Sequence, residues 1–318
     1  MKIIPASFFG IVLGMVGLGD CWRLAAKVWG LPSQIGEAIM FIAFGVWVFL
    51  IIQYLFKWMR SREEALAEFN HPVQSCFIGL SGVATLLAAV AIGPHWHALA
   101  QLLFVIGALM QLIYGVYFMG RSWMGERDIS STTAAIYLPS VAGNFVSAFV
   151  SGYMGYQDVG ILFFGAGLFS WLMIESLITH RLYHSTALPE TLRPTIGIML
   201  APPVVGCIGY LFITSGRPDI VAQALFGYGL LQLLLLARVL GWVTKQPFTA
   251  SYWAFSFGIT AIAFDAIVFV QRGLTGYIEW LSIILFVFAN AVLLLLIVKT
   301  VLKFFNGTLL PPPLLAKT

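Results

Sequence analysis

Trp253-Ala254-Phe255-Ser256-Phe257-Gly258 stands near the start of an apolar run from about Ala250 to Val270. A helix rising 1.5 Å per residue needs about 20 such residues to cross a bilayer, so the run predicts a membrane span. A helix-breaking glycine and a bulky phenyl group sit side by side at what would be membrane depth. Four earlier runs share this order of features: a proline at or near the start, then small residues. The prolines are Pro5, Pro72, Pro139, Pro194 and Pro247, at intervals of 67, 67, 55 and 53 residues. Each interval is the length of one helical hairpin, so the chain reads as a series of similar units.

Composition agrees. Of 318 residues, 60% are hydrophobic and 9% charged, against about 25% charged in soluble domains. The fold class is therefore an all-α integral membrane protein, one domain over residues 1–318. Ten spans are expected at about 5–28, 34–57, 73–93, 97–119, 136–155, 158–179, 195–215, 219–242, 250–271 and 277–303. Odd-numbered connections such as Gly30-Leu31-Pro32 are short, whereas those between hairpins are mostly longer and charged. Ten spans thus make five helical hairpins around a central pore. One Lys and no small-residue cleavage site precede the first run, so that helix is expected to stay in the membrane.

Basic residues give an orientation. One face would hold Lys2, Lys57, Arg60, Arg62, Arg121, Arg127, Arg181, Arg193, Arg238, Lys245, Lys299, Lys303 and Lys317, and the other only Arg23, Lys27, Arg217 and Arg272. This bias predicts cytoplasmic termini.

Proline and glycine in a spanning helix release backbone groups that lipid cannot satisfy, so such helices belong inside the bundle. The odd-numbered spans carry them: Gly10, Gly14 and Gly17; Gly79 and Gly82; Gly143; Gly197 with Pro202 and Pro203; and Gly258. Each such stripe alone indicates close helix packing. The fivefold recurrence extends that reading to a ring with an axial gap. The expected lining is Gly10, Gly14, Gly79, Gly143, Gly197, Pro202, Gly258, Ala261 and Phe264. Trp253, Phe257, Ala261 and Phe264 share one helix face, and a phenyl ring at Phe257 would block a narrow neutral tube by sterics and dewetting.

Chemistry-bearing groups are few. Cys21, Cys76 and Cys207 lie in apolar runs without metal-type spacing and read as buried hydrophobes. His71, His95, His97, His180 and His184 fall in connections, where solvated interfacial histidines outweigh the metal-ligand reading of His95/His97 and His180/His184. No nucleophile motif, nucleotide loop, metal or other cofactor site, or nucleic-acid patch emerges, and an enzyme is disfavoured. Asp20 and Arg23 are expected to pair, as are Glu175 and Arg238. Asp265, about 12 Å beyond Phe257 on a helix, is expected toward the outer mouth, within reach of water.

The middles of the odd spans thus hold no Lys, Arg, Asp or Glu. Coupled transporters commonly use a buried carboxylate or ion site. A neutral path suits passive flow of small inorganic anions, favoured by basic residues and helix N-termini at one mouth. Two other readings stand beside it: a secondary transporter, for which the family resemblance given next implies tellurite, dicarboxylates or lipophilic cations, and a membrane scaffold acting through its basic loops.

Six segments carry a resemblance: Phe8 to Gly14, Asn70-His71-Pro72-Val73, Tyr137 to Phe145, Leu162 to Gly167, Phe226 to Gln232 and Trp253 to Gly258. On these the chain resembles the bacterial TehA proteins, in the family that includes the slow-type anion channel of plant guard cells and the fungal malic-acid transporters. The resemblance implies a homotrimer in the bacterial inner membrane, each subunit with its own pore lined by odd-numbered helices. It maps the family's occluding phenylalanine onto Phe257 and its pore glycine onto Gly10. It also implies a link to tellurite resistance for bacterial members and opening by phosphorylation of long cytoplasmic tails for plant members.

Overall fold

The computed structural model describes residues 4–125, 128–312 and 314; Lys2, Arg127 and Lys317 of the charge pattern lie outside them. Among the described residues ten helices are long and apolar enough to cross a membrane: Ala6–Trp29, Ser33–Arg60, Gln74–Ile92, His97–Trp123, Ala134–Tyr153, Gln157–His184, Glu190–Ile213, Ile220–Val243, Ala250–Gln271 and Tyr277–Phe305. They are numbered first to tenth below. Among the described residues the chain is helical with no strand.

The spans form two layers. Each odd-numbered span touches the next, first to third to fifth to seventh to ninth, and the ninth touches the first, which closes a ring of five. Each even-numbered span lies in the groove between two ring members, the tenth between the ninth and the first. In the ring, 72–100% of each apolar stretch is buried, against 22–33% in the outer spans. The outer spans expose large apolar side chains such as Ile42, Ile113, Phe169, Leu234 and Leu294, a surface that suits hydrocarbon rather than water.

Backbone regularity follows the same division. The outer spans are unbroken α-helices of 24–29 residues. All five ring spans begin irregularly. The first opens with a 3₁₀ turn, Ala6–Phe8. The third is broken at Gly79, between Gln74–Ile78 and Leu80–Ile92. The fifth has a π-helical stretch, Leu138–Ala142, containing Pro139. The seventh starts as 3₁₀ helix over Glu190–Leu200, around Pro194. The ninth starts as 3₁₀ helix over Ala250–Phe255. A proline ring lacks an N–H and clashes with the carbonyl four residues back, so the chain tightens or bulges there and turns α-helical afterwards.

Several helices overrun the expected ends. The second, fourth and sixth continue to Arg60, Trp123 and His184, and the seventh begins at Glu190. Charged residues end an apolar pattern, but the backbone hydrogen-bond ladder runs on into the polar interface. Between the second and third spans a nine-residue helix, Arg62–Asn70, lies at the proline end of the bundle.

Candidate functional site

The irregular starts of the ring spans enclose a cavity of about 50 Å³. The first span contributes Ser7, Gly10 and Leu13, the third Phe77 and Leu80, the fifth Leu138 and Ala142, and the seventh Ile198 and Ala201. The ninth contributes Ala250, Ser251, Trp253, Ala254 and Phe257. All five ring members therefore meet at one place, where each changes to regular α-helix. Among the described residues no ionisable side chain borders the cavity, and two serine hydroxyls are among its polar groups.

Phe257 bounds the cavity from the ninth span and is 9% exposed. Its ring reaches over to the first span, where a Cβ placed on Gly17 would lie 3.5 Å from Phe257 Cδ2. Beyond it the far half of the ring is filled. Ala261 is buried, and Phe264 makes ring contacts with Phe149 and Phe212 at 6.5 and 6.2 Å between centroids.

Of the residues expected to line a path, Gly10 and Phe257 border this cavity. Gly14, Gly79, Gly143, Gly197, Pro202, Gly258, Ala261 and Phe264 are not among the residues around it. The glycines let neighbouring helices approach. A Cβ on Gly14 would overlap Ser256, one on Gly143 the Gln111 side chain, one on Gly197 the Phe255 ring, and one on Gly258 Leu200. A Cβ on Gly79 would lie 3.0 Å from the Pro139 backbone. Absent from the expected lining are Ser7, Leu13, Phe77, Leu80, Leu138, Ala142, Ile198, Ala201, Ala250, Ser251, Trp253 and Ala254. All of them lie within about ten residues of a ring-span proline, which removes an i→i−4 bond near the start of the span; that register is the available signal.

Two carboxylates, one buried and one half-buried, hold these irregular starts. Glu68, 1% exposed on the short helix, accepts from the Ala6 N–H at 2.9 Å and from Lys57 Nζ at 2.8 Å. Ala6 opens the first span, where an N–H has no helical partner. Glu175 on the sixth span accepts from the Tyr137 hydroxyl, from Trp171 Nε1 at 2.9 Å and from the Tyr228 hydroxyl at 2.9 Å. Tyr137 immediately precedes the π-helical stretch.

Three expected charge arrangements are corrected. Glu175 does not pair with Arg238, which is exposed; neutral phenol and indole donors fill the carboxylate instead. Arg23 does not pair with Asp20, since its guanidinium forks onto both oxygens of Glu37 at 2.7 and 2.8 Å. Three residues along the first span put Asp20 on the same helix, but Glu37 approaches from the second at fork geometry. Asp265 does not reach water: it is fully buried, with the Cys207 thiol beside its carboxyl.

The cysteines are free and buried. His95 contacts Glu37 and its ring lies 4.9 Å from that of Phe41, while His180 and His184 face each other. Among the described residues no group of three or more His, Cys, Asp or Glu is placed to hold a metal.

Comparison with known proteins places this geometry. Residues 4–301 match the family model described as SLAC1, voltage-dependent anion channel. The chain is 34% identical over 306 residues to the tellurite resistance protein TehA homolog of Haemophilus influenzae, covering 96% of this chain and 92% of that one. It is 25% identical to the S-type anion channel SLAH3 of Arabidopsis thaliana and 24% identical to the guard cell S-type anion channel SLAC1 of the same plant. Each alignment covers 95% of this chain, but 48% and 56% of the plant proteins, so the chain spans about half their length. A family of channel and transporter type, matched over residues 4–301, joins ten apolar helices and a cavity between the five ring spans: the chain belongs to the SLAC1 voltage-dependent anion channel family of multi-pass membrane proteins.

Proposed function

We propose that this protein is a passive anion channel, low in selectivity among monovalent anions such as chloride and nitrate, held closed by Phe257. One observation carries the reading: five ring helices converge on a cavity with no ionisable lining, and the Phe257 ring stands at its inner limit. An ion there meets neither a compensating charge nor a binding carboxylate, so passage costs dehydration. Large, weakly hydrated anions lose least. The α-helical parts of the ring spans start at this level, and their positive N-terminal ends favour anions over cations.

In the proposed arrangement the proline end faces the cytoplasm of a bacterial inner membrane and both termini lie there. The protein assembles as a homotrimer of separate pores. The name of the Haemophilus relative supports a link to tellurite resistance.

The test is reconstitution in liposomes, wild type beside Phe257→Ala, with chloride and nitrate flux as readout. The variant is expected to exceed wild type by at least about tenfold, since a dewetted constriction blocks and its removal does not. A silent variant present at equal density overturns the gate. Asp265 supports a second reading, coupled transport, because a buried carboxyl on a ring span is what such transporters use. Saturable flux that collapses with the proton gradient and is lost in Asp265→Asn would favour it.

A further inference from the structure

Four basic residues sit at the far end against the charge bias, and two of them perform the same task. Arg23, on the first span, donates from Nη1 to the Val90 carbonyl at 3.0 Å and from Nη2 to the Ala91 carbonyl at 2.7 Å. These carbonyls belong to the last turn of the third span, which ends at Ile92. Arg272, just past the ninth span, donates from Nη1 to the Thr214 carbonyl at 3.2 Å and from Nη2 to the Leu211 carbonyl at 2.6 Å. These close the seventh span, which ends at Ile213. Each arginine thus leaves one ring helix and caps its ring neighbour.

The electrostatic setting gives that capping a purpose. The last carbonyls of a helix lack intrahelical partners and together carry about half a negative charge. All five ring helices end at the far mouth, so their combined field there has the wrong sign for an anion. A guanidinium on the carbonyls of two of the five reverses it locally.

The two caps are not equivalent. Glu37 takes up the Arg23 fork and also contacts His95 at 2.8 Å. Among the described residues no carboxylate oxygen lies within 4 Å of Arg272. Asp219, at the start of the eighth span, is engaged by the Tyr210 hydroxyl and the amides of Val221 and Ala222.

We propose that Arg272 sets the sign of the far mouth as the uncompensated charge a permeating anion meets there, whereas Arg23, neutralised by Glu37, caps its neighbour without adding net charge. This rests on the anion-channel reading above. Arg272 acts on conductance through its charge, and its hydrogen bonds fix where that charge sits.

The experiment uses the full chain in planar bilayers, with Phe257→Ala as the conducting parent. Chloride current entering at the far mouth is recorded at about 20 mM and about 1 M salt, where screening lengths are roughly 20 Å and 3 Å. Arg272→Gln is expected to lower the low-salt current about three- to tenfold and to leave the high-salt current near that of the parent, since focusing by charge is screened. Arg272→Lys keeps the charge without the fork, and retains most of the low-salt current. Removing Arg23 and Glu37 together deletes both signs and stays within about twofold of the parent. An Arg272→Gln current equal to the parent at low salt overturns the inference, as does Arg272→Lys falling as far as Arg272→Gln. A parent that conducts no anions fails one step earlier: it removes the channel reading, and this one with it.

Discussion

The two halves of the ring spans solve opposite problems. At the proline end the backbone is 3₁₀ or π-helical, a cavity opens between five helices, and carboxylates on other elements hold the loose starts in place. At the far end the backbone is regular α-helix, glycines and alanines let helices touch, and aromatic rings from the fifth, seventh and ninth spans fill the centre. Irregular helix makes room, and regular helix with small contact residues removes it. In the proposed channel, a path open at one end and closed in the middle needs both. The boundary between them is where Phe257 stands.

That contrast can be broken at named positions, most severely at Glu68. Glu68→Ala leaves Lys57 charged and buried and the Ala6 N–H without an acceptor, and should cost about 3–5 kcal/mol. Thermal unfolding in detergent should show a large fall in Tm; an unchanged Tm would mean that the short helix does not hold the first span. Gly17→Val comes next. A side chain there would overlap Thr260 of the ninth span, and overpacking costs about 1–3 kcal/mol. Its partner substitution, Gly10→Ala, should be nearly neutral, because the nearest atom to an added Cβ is Trp253 Cβ at 3.8 Å, beside the cavity. Equal melting of the two variants would contradict the division between open and packed halves. In the same range lies Glu175→Leu, which strands the buried Tyr137 hydroxyl and should cost about 1–3 kcal/mol. Glu175→Gln, which still accepts hydrogen bonds, should recover most of that.

Much of this division was written in the sequence. The prolines marked all five ring spans, because a missing N–H has one structural consequence wherever it occurs, and the low charge fraction dictated the solvent. What the sequence hid were contacts made across elements. Glycines showed that close approach occurs but not what approaches. Gly14, Gly143 and Gly258 face Ser256, Gln111 and Leu200, residues 242, 32 and 58 positions away. The polar groups misled for the same reason. Asp20 and Arg23 look paired on one helix, but the acid with fork geometry arrives from the second span. Glu175 looks as though it needs a cation, yet it is filled by two phenols and an indole that no spacing rule connects to it. Asp265 looked solvent-accessible from its height along the helix, but the aromatic and aliphatic packing of the far half shuts water out.

The most direct measurement is a graded one: single-channel chloride current through wild type, Phe257→Leu, Phe257→Val and Phe257→Ala in the same bilayer. If the phenyl ring is the obstruction in an otherwise passable neutral path, wild type stays closed and conductance climbs as side-chain volume falls, largest in alanine. Silence across the whole series, or currents that do not follow the size of residue 257, would contradict the account.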